Sequence, residues 1–295
     1  VTYTINSGAN QTILLGGTGA ASFTTPALTS NTTYALVSVA TSGLPVCNQA
    51  QIGSAIVTVT PLPTASIVGT TSICSGATTA ITFNGTPNAT VTYTINSGAN
   101  QNILLDGLGV ASFTTPALTA NTTYALVSVS STGTPVCSQT QIGSALVNVT
   151  QLPSVNISGT TTICSGGTTT ISFSGTPNAT VTYTINSGAY QTILLGGTGA
   201  ASFTTPALTA NTTYDLVSGA SSGLPVCSQA QIGSAIVTVT PLPTASISGT
   251  TTICSGETTT ISFSGTPNAT VTYTINSGAN QTILLGGTGA ASFTT

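Results

Sequence analysis

Between Val91 and Asn96 the apolar residues Val91, Tyr93 and Ile95 alternate with Thr92 and Thr94, which is the two-residue period of a strand with one buried face. Gly85-Thr86-Pro87-Asn88 before it and Ser97-Gly98 after it carry turn residues. Runs of the same kind continue through the surrounding sequence. They predict strands at Thr64–Ile67, Thr79–Phe83, Val91–Asn96, Gln101–Leu105, Val110–Thr114, Thr123–Val129 and Ala145–Val149. The residues that point inward on this pattern are Ile81, Phe83, Val91, Tyr93, Ile95, Ile103, Leu105, Phe113, Leu118, Tyr124, Leu126, Val147 and Val149. No stretch shows a helical period of useful length, so the chain reads as all-β.

The pattern repeats almost letter for letter. GTPNATVTYTINSGAN at Gly85–Asn100 returns at Gly175, with Tyr190 as its last residue, and again at Gly265–Asn280, and its second half opens the chain. Val1, Val91, Val181 and Val271 stand 90 residues apart. A period of this length suits a whole small domain, and short strands with frequent turns suit a β-sandwich. Pro61-Leu62-Pro63, Gln151-Leu152-Pro153 and Pro241-Leu242-Pro243 mark the joints, where proline fixes φ and stiffens a connector. We therefore expect a tandem array: a partial module at 1–62, complete modules at 63–152 and 153–242, and a partial module at 243–295. The chain opens and closes in mid-repeat, so it is expected to be a window on a longer protein, with any export signal outside it.

Composition narrows the function. The chain has no Lys, Arg or His and only three acids, Asp106, Asp215 and Glu257. Charged residues at 1% compare with ~25% in ordinary globular domains. With no cation to neutralise phosphate, nucleic-acid binding has no electrostatic basis, and no apolar run approaches the ~20 residues that span a bilayer. Acid–base and nucleophilic catalysis find no His or Lys to work with, so no enzymatic role and no cofactor is expected. The Gly-rich Leu14–Ala20 lacks the Lys of a phosphate loop, and scattered carboxylates do not make a calcium site. An uncharged surface promotes association, so the partners expected are copies of the same chain, covalent glycans, or both.

Asn-x-Ser/Thr sequons supply candidate glycan sites. Asn88, Asn178 and Asn268 precede the Val91-type strand, and Asn31, Asn121 and Asn211 lie in the connection before the Tyr124-type strand. Both are expected to be exposed loops. At the second set the Asn side chain is as well suited to holding the turn as to carrying a sugar.

Six cysteines recur at two positions, Cys74, Cys164 and Cys254 in ICSG and Cys47, Cys137 and Cys227 in PVC. Without His or clustered acids they point to disulfides rather than metal ligation or catalysis. Three pairings are open. A spacing of 63 joins Cys74 to Cys137 and Cys164 to Cys227 within modules, which is our expectation; a spacing of 27 joins Cys47 to Cys74; and in an ideal sandwich the two cysteines lie at opposite poles, which would let Cys74 clasp Cys227 of the neighbour.

Leu118, six residues before Tyr124 at the start of a strand, is similar to the connection that carries the tyrosine corner in fibronectin type III and related sandwiches, and Leu28/Tyr34 and Leu208/Tyr214 repeat it. Taken together, ICSG, GTPNATVTYTINSG, NTTYALVSV and PVCSQ resemble the tandem Ig-like (PKD-like or fibronectin type III-like) modules of giant cell-surface proteins of Bacteroidetes-type bacteria. The resemblance covers the whole chain. It implies seven-stranded Ig-like sandwiches and an exported, extracellular or cell-surface protein acting as an adhesin, stalk or filament, with no catalytic residues to carry over. The chain is thus expected to be a disulfide-stabilised, glycosylated structural fibre or adhesin stalk. The alternative is a binding module whose Thr faces, Thr92 and Thr94 with their repeats, take ice or polysaccharide.

Overall fold

The structure is a computed structural model describing residues 1–295. It is all-β, a tandem array of Ig-like β-sandwiches. The chain divides into two compact units, Val1–Gln151 and Leu152–Thr295, and the division falls at the second proline-rich joint.

In the first unit β1 (Thr2–Ile5), β2 (Asn10–Thr12), β3 (Thr32–Ala40), β4 (Asn48–Ala50) and β5 (Ser54–Val57) form one sheet in the order β2-β1-β3-β4, with β5 also on β3. A complete sandwich comes next: β6 (Ala65–Val68), β7 (Thr71–Cys74), β8 (Ala80–Gly85), β9 (Thr90–Ile95), β10 (Gln101–Leu104), β11 (Val110–Thr114), β12 (Thr122–Ser130), β13 (Ser138–Thr140) and β14 (Ser144–Thr150). One of its sheets runs β11-β8-β6 and the other β10-β9-β12-β14-β7, with β13 on β12.

The second unit repeats this sandwich with β15 (Val155–Ser158), β16 (Thr161–Cys164), β17 (Thr170–Gly175), β18 (Thr180–Ile185), β19 (Gln191–Leu194), β20 (Ala200–Thr204), β21 (Thr212–Ala220), β22 (Ser228–Ala230) and β23 (Ser234–Thr240). It ends with β24 (Ala245–Ser248), β25 (Thr260–Gly265), β26 (Thr270–Tyr273), β27 (Gln281–Leu284) and β28 (Ala290–Thr294).

Two short strands per complete module lie beyond the seven expected. β7 arises because the chain changes sheets after β6: β6 pairs antiparallel with β8, whereas β7 pairs parallel with β14. Gly69 makes the crossing, with φ of 138°, and a Cβ there would lie 2.7 Å from Ile81 Cδ1 and 2.9 Å from the Ala80 carbonyl. Only glycine takes that backbone at that approach. The second addition, β13, pairs with the far end of β12, in what the sequence shows only as a loop.

Each complete module closes its own core from the same positions. Ile81, Phe83, Val91, Leu105, Tyr124 and Val147 are buried in the first unit, and Ile171, Phe173, Val181, Leu195, Tyr214 and Val237 in the second. Aromatic rings fill the centre: Phe83 lies 4.9 Å from Tyr93, and Phe113 meets Tyr124 edge-on at 5.8 Å, a geometry that adds to simple area burial.

Two features depart from strict alternation. Ile95 is exposed because its strand ends there, where Asn96 and Ser97 turn into the left-handed region with φ of 49° and 58°. Val129 is fully buried although alternation from Tyr124 and Leu126 points Ser128 inward. The register shifts between Leu126 and Ser128, and this β-bulge at Val127 reverses the inward–outward parity of the rest of the strand.

Candidate functional site

The features able to carry function are loops, strand faces and cysteines. Asn88, Asn178 and Asn268 sit in the turn before β9, β18 and β26, exposed, with φ of 58°, 59° and 58°. Asn is among the few residues that tolerate this conformation. The turn is held through its backbone: Asn88 N donates to the Asp106 carbonyl at 2.9 Å and Ala89 N to the Thr86 carbonyl at 3.1 Å.

Asn31, Asn121 and Asn211 are exposed as well, but their side chains work. Each Oδ1 accepts a backbone N–H, from Val59 at 2.8 Å, Val149 at 2.7 Å and Val239 at 2.7 Å. This bond ties the connection to the last long strand. Tyr124 and Tyr214, beside it, are core residues with 1% exposure. Desolvation pushes the Tyr93, Tyr124, Tyr183 and Tyr214 phenols above the usual tyrosine range. The amide nitrogen of Asn121, the atom a glycan would take, is not the atom that holds the turn.

The three acids have structural tasks or none visible. Asp106 Oδ1 accepts from Leu108 N and Val110 N, both at 2.8 Å, capping a tight turn. Glu257 Oε2 accepts from Cys254 N at 3.3 Å. Asp215 lies on β21 opposite Thr184. No group of three or more His, Cys, Asp or Glu side chains converges.

Thr92 and Thr94 face outward on β9 and are half-buried. Thr92 stands across from Asn102 and Ser128, and its hydroxyl lies 2.8 Å from Asn102 Oδ1. The corresponding cross-strand neighbours elsewhere are both threonine: Thr2/Thr12, Thr182/Thr192 and Thr272/Thr282.

The cysteines correct the expected pairing. Cys74 and Cys227 are disulfide-bonded, while Cys47, Cys137, Cys164 and Cys254 are free thiols. The within-module bonds Cys74–Cys137 and Cys164–Cys227 are therefore not made. The reason is distance along the sandwich. Cys74 ends β7 beside Thr150, at the pole where β12 begins. Cys137 lies past the other end of β12, where Ser131 N donates to its carbonyl and its Sγ lies 3.9 Å from the Thr60 carbonyl. The nine residues of β12 separate the poles by about 27–30 Å at ~3.3 Å per residue, whereas a disulfide requires Cα atoms within about 7 Å. Cys164, beside Thr240, and Cys227, whose carbonyl accepts from Ser221 N, are separated by β21 in the same way.

No protein-family model matches the chain, and no curated protein matches it. Among solved structures it is similar to a marsupial T cell receptor, with a TM-score of 0.41 and 11% identity over 72% of this chain and 84% of that one. It is also similar to trypsin-activated alpha-2-macroglobulin from Escherichia coli, with a TM-score of 0.26 and 9% identity over 88% of this chain and 24% of that one.

Proposed function

We propose that this chain is a structural segment of an extracellular fibre or adhesin stalk, of the kind its motifs resemble in Bacteroidetes-type surface proteins. One observation carries the reading: each complete module buries corresponding residues in a core of its own, with Val155 in the second taking the place of Val129 in the first, on a chain whose surface chemistry is nearly free of charge. Modules that fold independently can be copied to add length without new design, since stability in such arrays is close to additive. A disulfide suits an oxidising compartment, and no helix is long and apolar enough to cross a membrane. The reading assigns the chain no catalytic role, and its partners are copies of itself and covalent glycans on Asn88, Asn178 and Asn268, with Asn31, Asn121 and Asn211 as further acceptors.

Stretching single molecules tests this directly. Under reducing conditions each complete module should unfold as one event, releasing roughly 28–30 nm of chain at ~3.5 Å per residue. Gradual extension at low force without separate events overturns the reading. Glycopeptide mapping of the natively expressed protein tests the sugars independently.

A second reading rests on the cross-strand threonine pairs. They form a small outward hydroxyl array, and such an array can bind ice or a polysaccharide surface. Thermal-hysteresis and glycan-binding assays, with Thr182→Val and Thr192→Val as the variant, decide whether it does.

A further inference from the structure

One strand lies at the edge of its sheet in all four repeats. β2, β10, β19 and β27 each lie at a sheet edge and pair with one neighbour only. Their hydrogen-bond phase is also the same. Leu105, Leu195 and Leu285 N donate to the Ala89, Ala179 and Ala269 carbonyls, and Ile13 N to the Val1 carbonyl, all at 2.9 Å. Antiparallel pairing alternates the direction of backbone groups. Asn102 and Leu104, and equally Thr192 and Leu194, Thr282 and Leu284, therefore point their N–H and C=O groups away from the sheet.

An edge of this kind is a template for another strand, and proteins protect such edges with Lys, proline, bulges or covering segments. The chain has no Lys at all. Strands β6 and β11, which edge the smaller sheet, are flanked by Pro63 and Pro116; β10 has Gly98 before it and Gly107 after it. A large aliphatic side chain also stands exposed there in all four repeats: Leu14, Leu104, Leu194 and Leu284, between 61% and 80% exposed.

The geometry points to this edge as a self-association surface, taking the same strand of a second copy of the chain in antiparallel register about a two-fold axis. With Ile103 facing its own counterpart, Asn102 of one copy exchanges hydrogen bonds with Leu104 of the other, and the reverse. The set of outward donors and acceptors is self-complementary, as an isologous contact demands. The two leucines become diagonal neighbours and cover each other's exposed surface. The one charge beside the edge, Asp106, stands opposite Asn100 of the other copy rather than a second acid, and because every repeat presents the same strand, any two copies have edges that match. The inference rests on the self-association that the stalk function includes and assigns it a surface.

Sedimentation analysis of the full 295-residue chain across the micromolar range tests it. One variant carries Leu14→Lys, Leu104→Lys, Leu194→Lys and Leu284→Lys; a control of equal added charge carries Leu44→Lys, Ile52→Lys, Ile142→Lys and Ile232→Lys, at residues 96–97% exposed elsewhere. The expected result is concentration-dependent association of the parent chain, weakened at least about tenfold by the edge lysines and unchanged by the control. A third variant with Thr12→Pro, Asn102→Pro, Thr192→Pro and Thr282→Pro removes the outward donor from each edge without adding charge and should act like the edge lysines, with circular dichroism reporting that the fold persists. A monomeric parent chain, or equal weakening by edge and control lysines, overturns the inference. Single-molecule unfolding events that persist in the edge variants keep the stalk reading separate from this one.

Discussion

Val155 fills the space over Gly219: a Cβ added to the glycine would lie 3.3 Å from Val155 Cγ1 and 3.4 Å from Cγ2. Ninety residues earlier the same two positions are Ala65 and Val129. The valine has moved from one sheet to the other, and the two pairs differ in total by a single methyl group, so two modules with different residues at these positions both close their cores.

This exchange predicts a coupled pair. Val155→Ala removes two buried methyl groups and should cost about 2 kcal/mol at ~0.8 kcal/mol per group plus a cavity contribution. Gly219→Val alone forces overlap with Val155 and should cost about 1–3 kcal/mol. The double variant recreates the arrangement of the first unit and should lie within about 1 kcal/mol of the parent. A denaturant-unfolding double-mutant cycle measures the coupling, and strictly additive losses would refute it.

The hairpin turns predict a gain. Ile95 to Gly98 closes a two-residue turn, with Gly98 N donating to the Ile95 carbonyl at 2.9 Å and both central residues at positive φ. Asn-Gly suits such a turn best, and Ser97 bears the left-handed penalty of ~1–2 kcal/mol. Ser97→Gly and Ser187→Gly should each stabilise their module by about 0.5–1 kcal/mol, since glycine's greater chain entropy offsets part of the gain. Thermal unfolding checks the sign.

Thiol chemistry should track the cysteine environments. Without reduction, iodoacetamide should label Cys47, Cys164 and Cys254 readily, because they are exposed, and Cys137 more slowly, because it is half-buried. Peptides containing Cys74 or Cys227 should be labelled only after reduction.

Alkali should destabilise the fold. Desolvation raises the buried phenols of Tyr93, Tyr124, Tyr183 and Tyr214 above the ordinary tyrosine pKa of 10.0. The folded state thus binds these protons more tightly than the unfolded state. Their contribution is fully present below about pH 10 and is lost as pH rises through the raised folded values. Melting temperatures should fall above about pH 10. Tyr93→Phe with Tyr183→Phe should flatten that fall.

Among the candidate functional residues, exposure was legible and occupation was not. Turn residues around Asn88 and Asn121 mark both as loop positions, and both are exposed. That Asn121 spends its Oδ1 on Val149 N depends on a strand 28 residues away, which local sequence does not reveal. The cysteines show the same divide. Their spacing allows several pairings, and the length of β12 and β21 excludes the within-module one.

Local chemistry by itself determined the strand class, the 90-residue period and most of the core, because alternation and turn residues act over a few neighbours and Val91, Tyr93, Ile81 and Phe83 obey them. Three things were decided only in the folded molecule. The bulge at Val127 turns Val129 inward, Gly69 carries the chain from one sheet to the other, and the parallel pairing of β7 with β14 sets Cys74 beside Thr150. Each depends on contact between segments distant in sequence, where a single residue of register changes which face a side chain meets.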